Sequence, residues 1–317
     1  MSGTNSGKLS YFGIIFVDAE LKESMGQSIF EGSAVAVATP MNRDGTLDFQ
    51  GMRRLLDWIL EGESDAVVVN GTTGESATLD DKEKLELIDF VIRYVNGRVP
   101  VIAGTGSNCT RHAIELSKAA QGLGADALLQ VTPYYNKTSQ EGLVRHFTEV
   151  ADHVEIPMLL YHVPSRTGVT IQPETYQILS AHPGIRGTKD ASGNLSLIAR
   201  TAALCGDGFD IYSGNDDQTL PVMALGGKGV VSVAGNLVPR QMHEMCRLFL
   251  DGKTAESRKL QLGLLELMDA LFWDVNPVPV KAALAMTGIC GETCRLPLTG
   301  MDEGKKGKLA DILEKFF

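Results

Sequence analysis

Residues 33–40 read Ser-Ala-Val-Ala-Val-Ala-Thr-Pro and open a series of short apolar runs separated by polar stretches. Seven similar runs follow, all rich in Val, Ile, Leu and Ala: 66–70, 99–103, 127–130, 157–161, 184–189, 209–212 and 229–233. Near-continuous apolar character is typical of parallel strands buried on both faces. Eight strands between residues 33 and 233 give roughly 25 residues per strand–helix unit, the spacing of an eight-fold barrel. No Gly-x-Gly-x-x-Gly motif, typical of an open dinucleotide-binding sheet, follows Thr39-Pro40.

The stretches between the runs have helical periodicity. Residues 80–95, for example, place Leu85, Ile88 and Ile92 on one helical face. Other helices are predicted over 52–59 and from near Thr110, Ser139, Pro173, Asn194 and Asp217. After the last strand the pattern is helical only, over 239–250, 255–272, 278–286 and 301–317. We therefore predict an α/β fold, a (β/α)8 TIM barrel with a C-terminal all-helical extension.

This pattern predicts that the chain is divided into three parts. Residues 1–28 are polar and irregular and are predicted to form a flexible N-terminal tail. Residues 29–235 are predicted to form the barrel with the active site, and 236–317 a C-terminal helical region. The apolar stretch 11–17 is short and is not followed by a small-residue cleavage site, so no signal peptide is expected.

The composition narrows the classes of partner. The 317 residues carry a net charge of −10, which disfavours binding to nucleic acid or to an anionic membrane. No apolar run reaches the roughly 18–20 residues of a membrane-spanning helix. Five scattered cysteines and six dispersed histidines form no complete metal-binding pattern. We therefore expect a cytoplasmic protein without a metal or cofactor.

Lys189 is the most informative candidate for chemistry. It ends the apolar run 184–189, where a strand would pass into a loop. Burial disfavours the charged ammonium form of a lysine, and the neutral amine is a nucleophile toward carbonyl carbon. The alternative is a structural ion pair with Asp190, the next residue.

Other candidate residues also follow predicted strands, where the active site of such a barrel lies. Gly71-Thr72-Thr73-Gly74 could form an ordinary turn or a cradle of amides and hydroxyls for a small anion. Tyr134 and Tyr135 could simply pack. Tyr161 lies opposite Lys189 on the neighbouring strand, where its phenol could move protons. Arg166 offers a planar fork suited to a carboxylate, or is a surface arginine.

Four motifs together resemble those of the class I, pyruvate-dependent lyases of the dihydrodipicolinate synthase and N-acetylneuraminate lyase superfamily. They are Gly-Thr-Thr-Gly-Glu-Ser-Ala-Thr-Leu at 71–79, Thr-Pro-Tyr-Tyr-Asn at 132–136, Tyr-His-Val-Pro-Ser-Arg-Thr-Gly at 161–168 and Gly-Thr-Lys-Asp at 187–190. The resemblance extends from about residue 33 to the C-terminus. Sialic acid lyases are similar around the lysine but typically lack the Ser-Arg-Thr-Gly segment.

The resemblance implies a role for each candidate. Lys189 would form a Schiff base with pyruvate, whose carboxylate Thr72 and Thr73 would hold. Thr73, Tyr161 and Tyr135 would form a proton relay, with Tyr135 reaching across a dimer interface. Arg166 would bind the carboxylate of aspartate 4-semialdehyde. Gly214 and Val231 would line the pyruvate pocket. The implied enzyme would be a homotetramer, a dimer of dimers, on the diaminopimelate route to lysine.

A lysine effector site is also implied, at Ser76, Ala77, Asn108 and Tyr134. Three neighbouring positions depart from the family, because Asp81, Lys84 and His112 replace the His, His and Glu of strongly inhibited members. Weak or absent feedback by lysine is therefore expected.

Two other functions compete with this interpretation. One is an aldolase or lyase for a 2-keto sugar acid of the N-acetylneuraminate or 2-keto-3-deoxygluconate type, which uses the same chemistry. The other is an inert binding barrel that senses an anion, although sensing would not require both Lys189 and Tyr161.

Overall fold

The structure is a computed structural model that describes residues 28–317. Eight parallel strands pair in chain order and β8 pairs with β1, so the sheet closes. The strands are β1 Gly32–Ala36, β2 Ala66–Val69, β3 Val101–Gly104, β4 Ala127–Val131, β5 Met158–His162, β6 Ile185–Asp190, β7 Asp210–Ser213 and β8 Gly229–Ser232. The predicted (β/α)8 barrel is confirmed.

Helices surround the barrel and follow it. Those between strands are α1 Phe49–Glu61, α2 Asp81–Val95, α3 Thr110–Leu123, α4 Gln140–Ala151, α5 Pro164–Thr167, α6 Pro173–Leu179, α7 Leu195–Cys205 and α8 Thr219–Ala224. Those after β8 are α9 Pro239–Leu250, α10 Thr254–Ala270, α11 Val278–Met286 and α12 Glu303–Leu313. The helix expected from Asp217 is preceded by a 3-10 turn, Asp216–Gln218, and α8 itself is short.

Two apolar layers hold the barrel together. Residues facing inward form one cluster, which includes the small side chains of Ala34 and Ala36 together with Leu159 and Val231. The alternate residues face outward and form a larger cluster with the helices. This alternation follows from the two-residue period of a strand and determines which side chains can reach the barrel interior.

The amino-terminal end of the barrel is closed by aromatic rings. Phe30 stacks on Tyr212 with 4.2 Å between ring centroids, and the Tyr212 hydroxyl donates to the Phe30 carbonyl at 2.7 Å. The Ser28 hydroxyl donates to Asp210 Oδ1 at 2.9 Å. The predictions for the apolar stretch 11–17 and for the rest of the tail lie outside the described residues, and the three-part division of the chain stays a prediction.

The C-terminal helices pack beside the barrel and reach its carboxyl end. The turn between α10 and α11 brings Asn276 to the loop after β2, where Asn276 Nδ2 donates to Thr73 Oγ1 at 3.1 Å. Arg295 donates from its side chain to the carbonyl oxygens of Gly45 and Thr78. None of the helices between Ser28 and Phe317 combines the length and the apolar character needed to cross a bilayer.

Candidate active site

Lys189 and Tyr161 form the centre of the site. They are direct register partners on β6 and β5, so both side chains leave the sheet on the same face. The Lys189 Nζ lies 4.3 Å from the centroid of the Tyr161 ring. Lys189 is 5% exposed and Tyr161 is 7% exposed. The amine therefore lies in the barrel interior against an aromatic face, as predicted.

Asp190 does not supply the alternative ion pair considered for Lys189. Adjacent strand residues point to opposite faces, and the Asp190 carboxylate faces the surrounding helices. Its Oδ2 lies 2.9 Å from Nδ1 of buried His162, whose Nε2 accepts from the backbone N–H of Ile171 at 3.3 Å. Because Nε2 accepts, Nδ1 is the donor to Asp190. The Asp190–His162 pair supports β5 and β6 from outside while the Lys189 amine faces the interior.

The predicted cradle is a tight turn after β2. Gly74 N–H donates to the Gly71 carbonyl at 3.1 Å, and Glu75 N–H donates to the Thr72 carbonyl at 3.0 Å. A side chain at position 74 would lie 3.2 Å from both Thr39 Oγ1 and the Val37 carbonyl, so the turn packs closely on the barrel. The Thr73 hydroxyl accepts from Asn276 Nδ2, as described above.

A cavity of about 480 Å³ opens above these residues at the carboxyl ends of β2 to β5. Thr72, Tyr161 and Arg166 all line it, and Asn276 closes one side. Pro164 begins α5 and Gly168, with φ +66°, ends it, which places Arg166 in a single helical turn at the barrel mouth. Arg166 is exposed, lines this cavity and donates from Nη2 to the Asn276 carbonyl at 3.3 Å, and its binding role stays a prediction.

Three other predicted residues, Val231, Gly214 and Tyr135, lie in different environments. Val231 is buried in the inward-facing cluster. Gly214 follows β7, and a Cβ there would lie 2.7 Å from the Ala191 Cβ, so only glycine allows this approach. Tyr135 is 93% exposed with φ +68° and does not line the cavity. Thr72, Tyr161 and Arg166 thus line the cavity, Lys189 contacts the Tyr161 ring, and Thr73 bonds to Asn276 at the cavity wall, whereas Tyr135 lies outside.

A buried carboxylate borders the same end of the barrel. Asp216 Oδ2 accepts from the backbone N–H groups of Val233 and Ala234 at 3.1 and 2.8 Å. Burial raises the pKa of Asp216, against the opposing effect of these donors. Asp216 lies at the start of the 3-10 helix Asp216–Gln218, where its carboxylate supports the backbone after β8.

The positions assigned to an effector lie at the outer part of the cavity. Ser76, Ala77 and Tyr134 line it, and Asn108 Nδ2 donates to the Tyr134 carbonyl at 3.2 Å. The residues that depart from the family contact one another there. Asp81 Oδ2 lies 2.9 Å from His112 Nε2, and Asp81 Oδ1 lies 3.4 Å from Lys84 Nζ. The hydrogen bond from His112 lowers the pKa of Asp81.

Sequence reasoning missed Asn276 and a buried ion pair between Glu75 and Lys281. Asn276 lies between the predicted helices 255–272 and 278–286, beside Pro277 and Pro279, where no periodic pattern marks a functional residue. Lys281 is a lone charge in the otherwise apolar α11, and such a residue is a sequence signal for a buried partner. The partner itself lies 206 residues away and could not be identified.

A closed parallel barrel with a buried amine at the carboxyl ends of its strands defines an enzyme that acts on carbonyl compounds. Residues 29–316 match the model of the Dihydrodipicolinate synthetase family. The chain belongs to this family.

Similar proteins agree with that assignment. The 4-hydroxy-tetrahydrodipicolinate synthase of Caldicellulosiruptor saccharolyticus is 53% identical over 90% of this chain and 96% of that protein. The crystal structure of the chloride-inhibited dihydrodipicolinate synthase from Acinetobacter baumannii, complexed with pyruvate, has a TM-score of 0.88 at 41% identity, covering 90% and 98% of the two chains. The enzyme from Cyanidioschyzon merolae with lysine bound has a TM-score of 0.88 at 39% identity, covering 91% and 98%. These relatives confirm the predicted lyase and do not support the sugar-acid aldolase.

Proposed function

We propose that this chain condenses pyruvate with L-aspartate 4-semialdehyde to give 4-hydroxy-tetrahydrodipicolinate. The observation that carries the proposal is the stacked pair of Lys189 and Tyr161, with the Thr72 and Arg166 side chains in the cavity above it. Pyruvate is bound in the similar enzyme from A. baumannii, and the named relatives carry out this synthesis.

The reaction begins at the Lys189 amine. Its nitrogen attacks the ketone carbon of pyruvate, and loss of one water gives the imine. Tyr161, whose ring face lies against the amine, donates from its hydroxyl the proton that the leaving hydroxyl requires and later accepts one. Loss of a methyl proton converts the imine to an enamine. The reaction needs no cofactor, because the protonated imine itself stabilises the electron pair released at the methyl carbon.

The enamine carbon then attacks the aldehyde carbon of the second substrate. Arg166 at the cavity wall binds the carboxylate of that substrate, because a guanidinium can donate two parallel hydrogen bonds to it. The amino group of the semialdehyde finally attacks the imine carbon, closes the ring and releases the Lys189 amine. The net reaction joins the two substrates with loss of one water.

The remaining roles require more than one chain. Tyr135 would complete the relay with Thr73 and Tyr161 in a neighbouring subunit, and its 93% exposure here leaves it available for that contact. The proposed assembly is a homotetramer made of two tight dimers. We place the enzyme in the cytoplasm, on the diaminopimelate route to lysine.

Substrate use tests the proposal directly. Purified protein should consume aspartate 4-semialdehyde only when pyruvate is also present. Pyruvate with N-acetylmannosamine should give no condensation product, and this pair is the matched control for a sugar-acid lyase. Turnover of the amino sugar in preference to the semialdehyde would refute the proposed function.

A further inference from the structure

A fully buried ion pair joins the C-terminal helices to the loop after β2. Lys281 Nζ, in the first turn of α11, lies 2.6 Å from Glu75 Oε1, and both side chains are 0% exposed. The second carboxylate oxygen, Glu75 Oε2, accepts from the backbone N–H of Arg295 at 2.9 Å. Removing two charges from water costs free energy, so a buried ion pair is weak evidence for a role in stability alone. Its location suggests another role.

Glu75 is directly coupled to Thr72. Its own N–H donates to the Thr72 carbonyl at 3.0 Å, and its carbonyl accepts from the Thr78 N–H at 2.9 Å. Glu75 also has φ +54°, a backbone conformation that a residue with a side chain adopts only when its surroundings impose it. The contacts from the C-terminal region hold the Glu75 carboxylate, and the Glu75 N–H links this residue to the Thr72 backbone.

The same C-terminal segment also reaches Thr73. The Lys281 N–H donates at 3.0 Å to the carbonyl of Pro277, the residue directly after Asn276. Asn276 Nδ2 donates to the Thr73 hydroxyl, and its Oδ1 is buried without a hydrogen-bond partner among residues 28–317. One C-terminal segment therefore reaches both threonines, Thr72 through Glu75 and Thr73 through Asn276.

We propose that Glu75 and Lys281 are positioning residues for pyruvate. This inference rests on the proposed function, in which Thr72 and Thr73 hold the pyruvate carboxylate next to Lys189. The ion pair holds the threonine turn in the geometry needed for binding before the substrate arrives. Glu75 borders the cavity, but the charged side chains of both residues are 0% exposed, so the pair acts through Thr72 and Thr73.

The test compares variants that distinguish an effect on the position of the threonine turn from an effect on folding. Lys281→Met and Glu75→Gln each break the pair, whereas the double variant Glu75→Gln/Lys281→Met removes both charges and leaves no unpaired charge buried. Lys281→Arg keeps the charge. Arg240→Met is the control, because it removes a cation of the C-terminal region that bonds Glu63 at 2.8 Å near the amino-terminal end of β2. Each protein is examined for thermal unfolding, for the KM of both substrates and for the rate of borohydride trapping with pyruvate.

We expect the folded double variant to show a pyruvate KM about ten- to a hundred-fold higher, since a displacement of about 1 Å in a positioning group can cost about 10²-fold. The KM for the semialdehyde should not change, Lys281→Arg should recover most of the loss, and Arg240→Met should behave as wild type. A normal pyruvate KM in the double variant, an equal rise in both KM values, or failure of all the pair variants, including Lys281→Arg, to fold would overturn the inference. If the wild-type protein itself forms no pyruvate adduct, the proposed function fails instead.

Discussion

At the scale of single residues, Arg166 separates the two halves of the proposed reaction. Arg166→Ala should leave Schiff-base formation with pyruvate largely intact, because Arg166 lies in α5 whereas the threonines proposed to hold pyruvate lie in the turn after β2. Condensation should suffer, since the substrate carboxylate loses its charge-assisted hydrogen bonds, which contribute about 1.5–3 kcal/mol, roughly ten- to a hundred-fold in kcat/KM for the semialdehyde. Arg166→Lys should recover little, because an ammonium lacks the planar fork.

Single-turnover trapping with pyruvate and steady-state kinetics with the semialdehyde distinguish these steps. An equal loss in both would mean that Arg166 acts on the structure of the cavity through its bond to the Asn276 carbonyl. Arg166 would then no longer support the semialdehyde as the second substrate.

The mutual contacts of Asp81, Lys84 and His112 lead to a second prediction at this scale. Lys84 adds a positive charge where an effector ammonium would lie, and the Asp81 carboxylate is already engaged by His112 and Lys84. Micromolar lysine should therefore leave the initial rate unchanged. The double variant Lys84→His/His112→Glu, which removes the like charge and adds a carboxylate, should become more sensitive to lysine. Inhibition of the wild-type enzyme by micromolar lysine would contradict this account.

The candidate active-site residues were predictable where they lie on strands or directly after them. Tyr161 and Lys189 each end an apolar run, and the parallel barrel then brings them together as register partners. Asn276 was not predictable, because its contact to Thr73 joins residues 203 positions apart and has no local pattern. Tyr135 was predicted for a contact with a second chain, and its side chain is exposed in the single chain.

At the scale of elements, α4 carries a histidine that should make the fold sensitive to acid. His146 is 7% exposed, its Nδ1 lies 2.9 Å from Thr110 Oγ1, and its Nε2 has no hydrogen-bond partner among residues 28–317. Burial lowers the pKa of His146 to about 4. The unfolded chain, with a histidine pKa near 6.5, therefore binds the proton more readily than the folded chain between these two values.

The stability contributed by neutral His146 is fully present above about pH 6.5 and is lost as the pH falls toward 4, by about 3 kcal/mol. His146→Asn cannot titrate and should retain the bond to Thr110. Urea unfolding near pH 7 and near pH 4.5 should show a smaller acid-induced loss in the variant than in the wild type. Equal losses in the two proteins would show that His146 does not carry this sensitivity.

Element boundaries differ from the predicted ones for local physical reasons. The run 99–103 was predicted as a strand, but β3 begins at Val101, because Pro100 has no N–H to donate to a neighbouring strand. The short helix α5 was not predicted, since four residues are too few to show helical periodicity. Pro164 and Gly168 at its two ends were the available signals.

At the scale of the whole molecule, the N-terminal segment should be dispensable. Residues 1–24 lack sustained apolar periodicity and lie outside the described part of the chain. A shortened chain beginning at Met25 keeps Ser28 and Phe30, which close the amino-terminal end of the barrel. It should retain the stability and activity of the full chain in thermal unfolding and steady-state assays. A loss of more than about 1–2 kcal/mol would mean instead that the segment packs on the barrel.

The C-terminal helices were predicted as an extension, and their contribution to the site appears only in three dimensions. The alternation of strands and helices predicts the barrel because each unit is local in sequence. The contacts of Lys281 and Arg295 with the loop after β2 span more than 200 residues, so helical periodicity could not reveal them. The active site therefore belongs to the whole chain from β2 to α11.

Chemical trapping of Lys189 tests the central claim most directly. The protein is treated with borohydride in the presence and absence of pyruvate, and the modified residue is located by peptide mass mapping. A reduced pyruvyl group on Lys189 alone, formed only with pyruvate and accompanied by loss of activity, is the predicted result. An adduct on Lys137 or Lys228 in place of Lys189, or no adduct in a protein that is active before treatment, would contradict the Schiff-base mechanism.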